Sequence, residues 1–235
     1  MLIVEKKTFA LGLVMAVAFL VVLVLMFSPL FGEENAFQAA DRLFNSIAKG
    51  SSDHFDELRE QAGSLRGSQV QLEVSLKDES TAEIAGVLLA KAGLGEKVGA
   101  TRVTIAGDIE RLALAVIADS EELFHNNGEE IAAKYGYPDR EVLIGWWSAL
   151  KEAQKVLREK GSFAAASYLE EVTMKGVEVA YNFYDIEPKG ASANAGIITF
   201  SLAFYILYTL WWGYAILYLF HGLGMEMKAG RKKEV

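Results

Sequence analysis

The chain has 235 residues, no cysteine and a formal net charge of −8. The absence of cysteine excludes disulfides, thiolate metal sites, covalently attached c-type haem and a cysteine nucleophile. The acidic residues are concentrated in the middle, where 28 acids and 17 bases lie between positions 32 and 193. Such an acidic region is a poor surface for nucleic acid, because phosphate binding requires clustered Lys and Arg.

A first charge-free run covers 9–31 and follows a short basic leader over 1–8. Its apolar core is about 20 residues long, which fits a membrane span and exceeds the roughly 7–15 residues of a signal-peptide core. The run ends without a small-residue cleavage site. We therefore predict an uncleaved signal anchor over 9–31.

Capping signals and hydrophobic alternation predict alternating helices and strands in the first half of the central region, 32–189. The predicted elements are a helix over 35–49 capped by Asn35, a short helix over 53–62, a strand over 70–76, a helix from 80 to 92 and a strand over 102–106.

The stretch 112–117 is ambiguous, because Leu112, Leu114 and Val116 alternate with small residues. Short apolar runs of this kind suit a strand or a helix, and periodicity alone does not separate the two. We prefer a hairpin that turns at Gly107 and Asp108, since Gly-Asp is a turn pair. This interpretation makes 112–117 the third strand of a small sheet.

From Glu121 onward the pattern is helical up to Tyr184, with turns at 126–128, 136–138 and 161–162. Pro138 suits the first position of a helix. The predicted fold class is therefore α+β: a helix-rich extracytoplasmic domain over 32–189, with a small three-stranded sheet, inserted between two transmembrane helices.

A second uncharged run over 194–222 is also long enough to span a bilayer, and a basic tail follows over 223–235. Lys6 and Lys7 precede the first run, and the tail holds four further bases. The positive-inside rule then places both termini in the cytoplasm. We expect a two-pass protein of the cell inner membrane with a periplasmic central domain.

The second run is predicted to have two distinct sides at 100° per residue. Aromatic residues share one side, and we expect them to bind a partner subunit or a lipid-like molecule: Phe200, Phe204, Tyr208, Trp211 and Tyr218. Small residues and hydroxyls share the other side and should pack on the first helix. The predicted helix-packing residues are Gly12, Ala16, Thr199, Thr209 and Gly213.

Motifs for chemistry are few. Glu122 and His125 are three apart on a predicted helix, a spacing used in carboxylate-bridged di-metal bundles, but no second copy is present. They are weak candidates for a divalent metal site, and the alternative is a solvated acidic helix end. No P-loop, G-x-G-x-x-G or G-x-S-x-G motif occurs. We predict no cofactor and no enzyme activity.

A group of aromatic residues near the end of the domain is a second candidate site. Tyr181 and Tyr184, together with Tyr135, Tyr137, Trp146 and Trp147, would line a ligand pocket or, alternatively, fill the core. A lone His221 at the end of the second run suits the membrane interface, since a bis-histidine haem needs a second histidine.

Two functions fit these features. The first is an accessory or scaffolding subunit, whose domain and second helix bind other integral membrane subunits or a second copy of the chain. The alternative is a periplasmic ligand-sensing domain that reports to a separate membrane protein. A third possible function is that of an unrecognised enzyme.

Overall fold

The computed structural model describes residues 3–29 and 33–225. The chain forms two compact units, one made of Met1–Ile47 with Lys189–Val235 and the other of Ala48–Pro188. In chain order the elements are α1 (Lys6–Phe27), α2 (Ala36–Ser51), α3 (Phe55–Ala62), β1 (Gln69–Ser75), α4 (Glu79–Ala92), β2 (Gly95–Lys97), β3 (Arg102–Asp108), α5 (Ile109–Phe124), α6 (Gly128–Tyr135), α7 (Asp139–Glu159), α8 (Phe163–Val172), α9 (Glu178–Phe183) and α10 (Ala195–Gly222).

The helix-rich α+β architecture with a three-stranded sheet is confirmed. The sheet lies in the second unit, is antiparallel, and has the order β1-β3-β2. Leu72 pairs with Ile105, and Val74 with Val103, so that one face of the sheet carries buried aliphatic side chains. The alternation of these residues with polar ones is the cause of this half-buried sheet.

The predicted hairpin at Gly107 and Asp108 is wrong, and so is the predicted third strand over 112–117. The third strand is β2, and 112–117 belongs to α5. Asp108 is the N-cap of that helix, because its carboxylate accepts the backbone N–H of Glu110 at 2.9 Å. Leu112, Val116 and Ser120 are all buried at a spacing of four, which is the period of a helix and not of a strand.

The core of the second unit surrounds α7, whose Trp146 is fully buried. The neighbouring helix runs from α8 into α9 through one π-helical turn over Thr173–Val177. A π turn holds one extra residue. At its start the carbonyl of Leu169 accepts the backbone N–H of Thr173, the hydroxyl of Thr173 at 2.7 Å and the amide Nε2 of Gln154 at 3.2 Å.

In the first unit, α1 and α10 pack side by side and antiparallel. Gly12 faces Tyr218 and Leu219, while Phe19 stacks on Tyr208 with ring centroids 4.1 Å apart. Seven of the buried or half-buried positions of α10 recur at alternating spacings of three and four: Ser201, Phe204, Tyr208, Trp211, Ala215, Tyr218 and Gly222. This spacing is typical of two helices that pack along a long, continuous seam.

These contacts correct the predicted packing side of α10. Thr199 and Thr209 are exposed, and a Cβ added to Gly213 would meet nothing within 4 Å. The aromatic side packs on α1 instead, because Phe19 of α1 stacks on Tyr208 and because Gly12, which has no side chain, lets the backbone at Tyr218 approach closely. The indole Nε1 of Trp211 also donates to the carbonyl of Met15 at 3.1 Å, which satisfies a polar group that lipid would leave unpaired.

The same contacts divide the predicted partner-binding residues into two groups. Tyr208, Trp211 and Tyr218 lie against α1 of the same chain. Phe200 is 66% exposed, and Phe204 stacks on Tyr208. The helices over Lys6–Phe27 and Ser192–Gly222 are both long and apolar enough to cross a membrane. Residues 30 and 31 of the predicted first span, residue 32 of the predicted domain and residues 226–235 of the predicted tail lie outside the described residues.

Candidate functional site

A cleft of about 290 Å³ opens on the second unit between α7 and α9. We call it the α7–α9 cleft. Its walls are mostly apolar and aromatic, with one carboxylate and one amide: Leu143, Ile144, Trp147, Val177, Glu178, Tyr181 and Asn182. Sites for small molecules commonly combine apolar walls with a few polar groups in this way.

The π turn positions one wall of this cleft. Thr173 is the first residue of the turn and is buried, and the amide of the buried Gln154 on α7 donates to its hydroxyl at 2.9 Å. The extra residue of the turn changes the direction in which the following side chains point, which include Val177 and Glu178. π turns inside α-helices occur frequently at functional sites.

The polar groups of the cleft form a short chain of contacts. The indole Nε1 of Trp147 donates to Oε1 of Glu178 at 2.8 Å, and Lys151 Nζ lies 3.8 Å from the same oxygen. Lys151 also lies over the Trp147 ring, 5.4 Å from its centroid. Glu178 is thereby held at the wall, and the lysine lies beside the cleft without lining it.

Arg140 links the cleft to the segment that follows α9. Its guanidinium lies 5.5 Å from the ring centroid of Tyr181 and 5.3 Å from that of Tyr184, and it pairs with Asp185 at 3.7 Å. The Tyr184 hydroxyl donates to Asp139. This hydrogen bond, with burial, raises the pKa of Tyr184 to about 12.

A buried lysine fixes the same segment further along. Lys49 is 2% exposed, and its Nζ donates to the Asn126 side-chain oxygen at 3.0 Å and to the Ile186 carbonyl at 2.6 Å. The backbone N–H of Asp185 donates to the same Asn126 oxygen at 2.9 Å. Burial lowers the pKa of Lys49, while Glu187 and Asp185 oppose that shift. We call Lys49, Asn126, Asp185 and Ile186 the Lys49 cluster.

Backbone conformation marks the Lys49 cluster as well. Among the described residues, Asn126 and Asp185 are the two non-glycine residues with positive φ, at 66° and 64°. Left-handed backbone is costly for most residues and persists where surrounding contacts require it. Sequence reasoning missed this cluster, because it joins three distant parts of the chain. Lys49 and Asn126 are 77 positions apart, and Asn126 and Asp185 are 59 positions apart.

A second buried charge lies at Asp119 of α5. Its carboxylate accepts hydrogen bonds from Lys134 at 2.6 Å and from Tyr135 and Trp146 at 2.7 Å each. Burial and the bond to Asp119 raise the pKa of Tyr135 well above its usual value. Three donors satisfy the carboxylate, so this group joins α5, α6 and α7 as a structural unit.

The predicted aromatic group is therefore divided. Trp147 and Tyr181 line the cleft, and Tyr184 lies next to it beneath Arg140. Tyr135 and Trp146 are buried and bonded to Asp119, and Tyr137 packs against the core. The core alternative thus applies to some members of the group and the pocket alternative to others.

The two metal candidates make separate contacts. Glu122 accepts a hydrogen bond from the Asn127 amide at 2.7 Å, and His125 Nε2 lies 4.0 Å from a carboxylate oxygen of Asp53. Over 3–29 and 33–225, no three or more His, Asp or Glu side chains form a group that could hold a metal ion.

Comparisons of the chain with known protein families, curated proteins and solved structures give no match.

Proposed function

We propose that this protein is a two-pass membrane protein that serves as an accessory subunit of a membrane complex. The outward sides of α1 and α10 support the membrane part of this proposal. Val14, Val24 and Leu207 are each about two-thirds exposed, although the two helices pack on one another. Apolar surfaces of this extent are rare on soluble monomers and are stable in hydrocarbon.

The orientation proposed is the one that the charges favour. Lys6 and Lys7 lie before α1, and Lys228, Arg231, Lys232 and Lys233 follow α10. Cytoplasmic ends of membrane helices carry such an excess of Lys and Arg. Both termini would then be cytoplasmic, and the second unit would lie on the other side of the inner membrane.

The exposure of Tyr205 is the observation that carries the accessory role. It is 68% exposed on the side of α10 away from α1, near the middle of a 28-residue helix. Its hydroxyl makes no hydrogen bond within the described part of the chain. At this depth a lipid-facing hydroxyl would be without water, and tyrosine in lipid-facing positions normally lies near the interfaces. A polar group of a neighbouring membrane helix satisfies it best.

Exposed apolar and aromatic side chains extend the proposed contact surface along α10. Leu202 and Trp212 are 59% and 38% exposed, and at 100° per residue both lie within about 60° of Tyr205 around the helix. Aromatic residues are enriched at the centres of protein interfaces. We propose that this side of α10, rather than the ring pair of Tyr208 and Trp211, contacts the partner subunit.

Affinity purification of the full chain in a mild detergent, followed by mass spectrometry, tests the accessory role. We expect integral membrane proteins to co-purify with the wild type. Tyr205→Phe removes only the hydroxyl and should weaken that association, because hydrogen bonds between membrane helices contribute about 0.6–2 kcal/mol. Val24→Ala on α1 is the matched control and should leave it unchanged. If detergent and lipid are the only molecules that co-purify with the chain, the accessory role is contradicted.

Ligand sensing is the second candidate, and the α7–α9 cleft favours it. Tyr181 of the cleft lies on α9, and the chain continues from α9 through residues 184–188 toward α10. A molecule bound in the cleft would contact the element directly before this segment. The two candidates are compatible, since an accessory subunit can also bind a ligand.

A further inference from the structure

The walls of the α7–α9 cleft define the chemistry of the molecule that would fit it. Leu143, Ile144 and Val177 supply aliphatic surface, and the rings of Trp147 and Tyr181 supply aromatic surface. Both rings are partly exposed, at 40% and 39%. The volume of about 290 Å³ lies at the lower end of the range for small-molecule sites, roughly 300–1,000 Å³. A ligand of one or two rings matches this size.

The charged group of the cleft is an acid. Glu178 lines it, with Oε1 occupied by the Trp147 indole at 2.8 Å, and Oε2 makes no hydrogen bond within the described residues. Asn182 also lines the cleft and adds an amide. Lys151 lies over the Trp147 ring and 3.8 Å from Oε1 of Glu178, and Arg140 lies over the Tyr181 ring, but neither cation lines the cleft, and both leave Oε2 of Glu178 open. A ligand inside the cleft therefore meets a carboxylate and two aromatic rings.

We propose that the α7–α9 cleft binds a small amphipathic organic amine, with an apolar or aromatic body and a protonated amino group. The amino group would donate to the free oxygen of Glu178 and lie near the Trp147 and Tyr181 rings. A charge-assisted hydrogen bond to the Glu178 carboxylate favours a cation there. This inference is separate from the accessory role, because the whole cleft lies within the second unit.

Other ligand classes fit less well. A carboxylate or phosphate ligand would be placed against Glu178, and the central region carries 28 acids against 17 bases, which repels anions. A wholly apolar ligand would cover Oε2 of Glu178 without supplying a donor, and burying a carboxylate oxygen without a hydrogen bond is costly. An amine avoids both penalties.

The π turn keeps the acid in place for this role. Glu178 directly follows the turn, and the buried bonds of Gln154 and Thr173 to the Leu169 carbonyl stabilise the turn from below. The Trp147 indole then orients the carboxylate from α7. A carboxylate that is oriented before binding loses less freedom when the ligand arrives.

Isothermal titration calorimetry of the detergent-solubilised full chain tests the proposal, with phenethylamine as the probe and phenylacetate as its acidic counterpart. We expect saturable binding of phenethylamine and none of phenylacetate. Glu178→Gln should weaken phenethylamine binding about tenfold. The glutamine still accepts the indole N–H, so this variant keeps the wall intact.

Glu152→Gln is the control, because Glu152 lies on α7 and pairs with Lys155 away from the cleft. It should bind phenethylamine as the wild type does. Equal affinities for the amine and the acid, or an amine affinity that Glu178→Gln leaves unchanged, would overturn the proposal. Both outcomes are independent of whether membrane partners co-purify, so failure here is distinct from failure of the accessory role.

Discussion

The amide Nε2 of Gln154 donates to the hydroxyl of Thr173 over 2.9 Å, and both side chains are buried. The two residues share one acceptor, the Leu169 carbonyl. This shared contact makes the π turn before α9 a cooperative unit. It also connects a feature of the core to the shape of the α7–α9 cleft, because the turn directly precedes Glu178.

The first prediction concerns the coupling of these two residues. Gln154→Met and Thr173→Val should each destabilise the protein by about 1–3 kcal/mol, since each leaves a buried polar group with fewer partners. The double variant should cost less than the sum of the single variants, by about 0.5–3 kcal/mol. Urea unfolding of the full chain in detergent measures all four proteins. Strictly additive effects would show that the pair does not act as a unit.

How far the sequence predicts this fold depends on the range of the contacts. The Asn35 cap was readable from the sequence, because its oxygen accepts the N–H groups of Phe37 and Gln38 only two and three residues away. The strand predicted over 112–117 is wrong, because the alternation of apolar and small residues fits a strand, whereas the residues buried on α5 recur at the helical period. The Lys49 cluster and the π turn rest on contacts between distant positions, which local patterns do not reveal.

The second prediction concerns the Lys49 cluster. Lys49→Met keeps the apolar stem of the side chain but removes the donor to Asn126 and Ile186. We expect the amide of Asp185 to exchange with solvent about tenfold faster or more, because a hydrogen bond to a charged group contributes about 1.5–3 kcal/mol. Hydrogen–deuterium exchange over residues 184–188 measures this change.

Lys155→Met is the control for that experiment, because Lys155 is exposed and its ion pair among the described residues is with Glu152, three residues earlier. It should leave exchange over 184–188 at the wild-type rate. Equal rates in the wild type and in Lys49→Met would refute the role of the cluster in holding this segment.

The third prediction is a pH dependence. The pKa of Tyr184 is raised from 10.0 to about 12, first by its hydrogen bond to Asp139 and then by burial. Because the folded-state value is the higher one, this bond contributes its full stability below about pH 10, and the contribution is lost as pH rises toward 12. The difference in melting temperature between wild type and Tyr184→Phe should be constant up to pH 10 and shrink above it. A difference that grows with pH would contradict this account.

The fourth prediction compares two glycines of the helix pair. A Cβ on Gly12 would lie 2.7 Å from the backbone nitrogen of Leu219, whereas one on Gly213 would have no neighbour within 4 Å in the part of the chain that the structure describes. Gly12→Leu should therefore destabilise the α1–α10 pair by about 1–3 kcal/mol, as overpacking does. Gly213→Leu should change stability by no more than about 0.5 kcal/mol. Thermal unfolding in detergent measures both, and a greater loss in Gly213→Leu would show that the small-residue side forms the contact.

Cysteine accessibility tests the two-pass arrangement, on which the proposed function depends, most directly. The chain has no native cysteine, so single cysteines at Ser162 in the second unit and Gly230 in the tail report without interference. In intact cells with a permeable outer envelope, a membrane-impermeant maleimide should label Ser162→Cys and should label Gly230→Cys only after the membrane is opened. Labelling of Gly230→Cys alone, or of both variants before the membrane is opened, would contradict the arrangement.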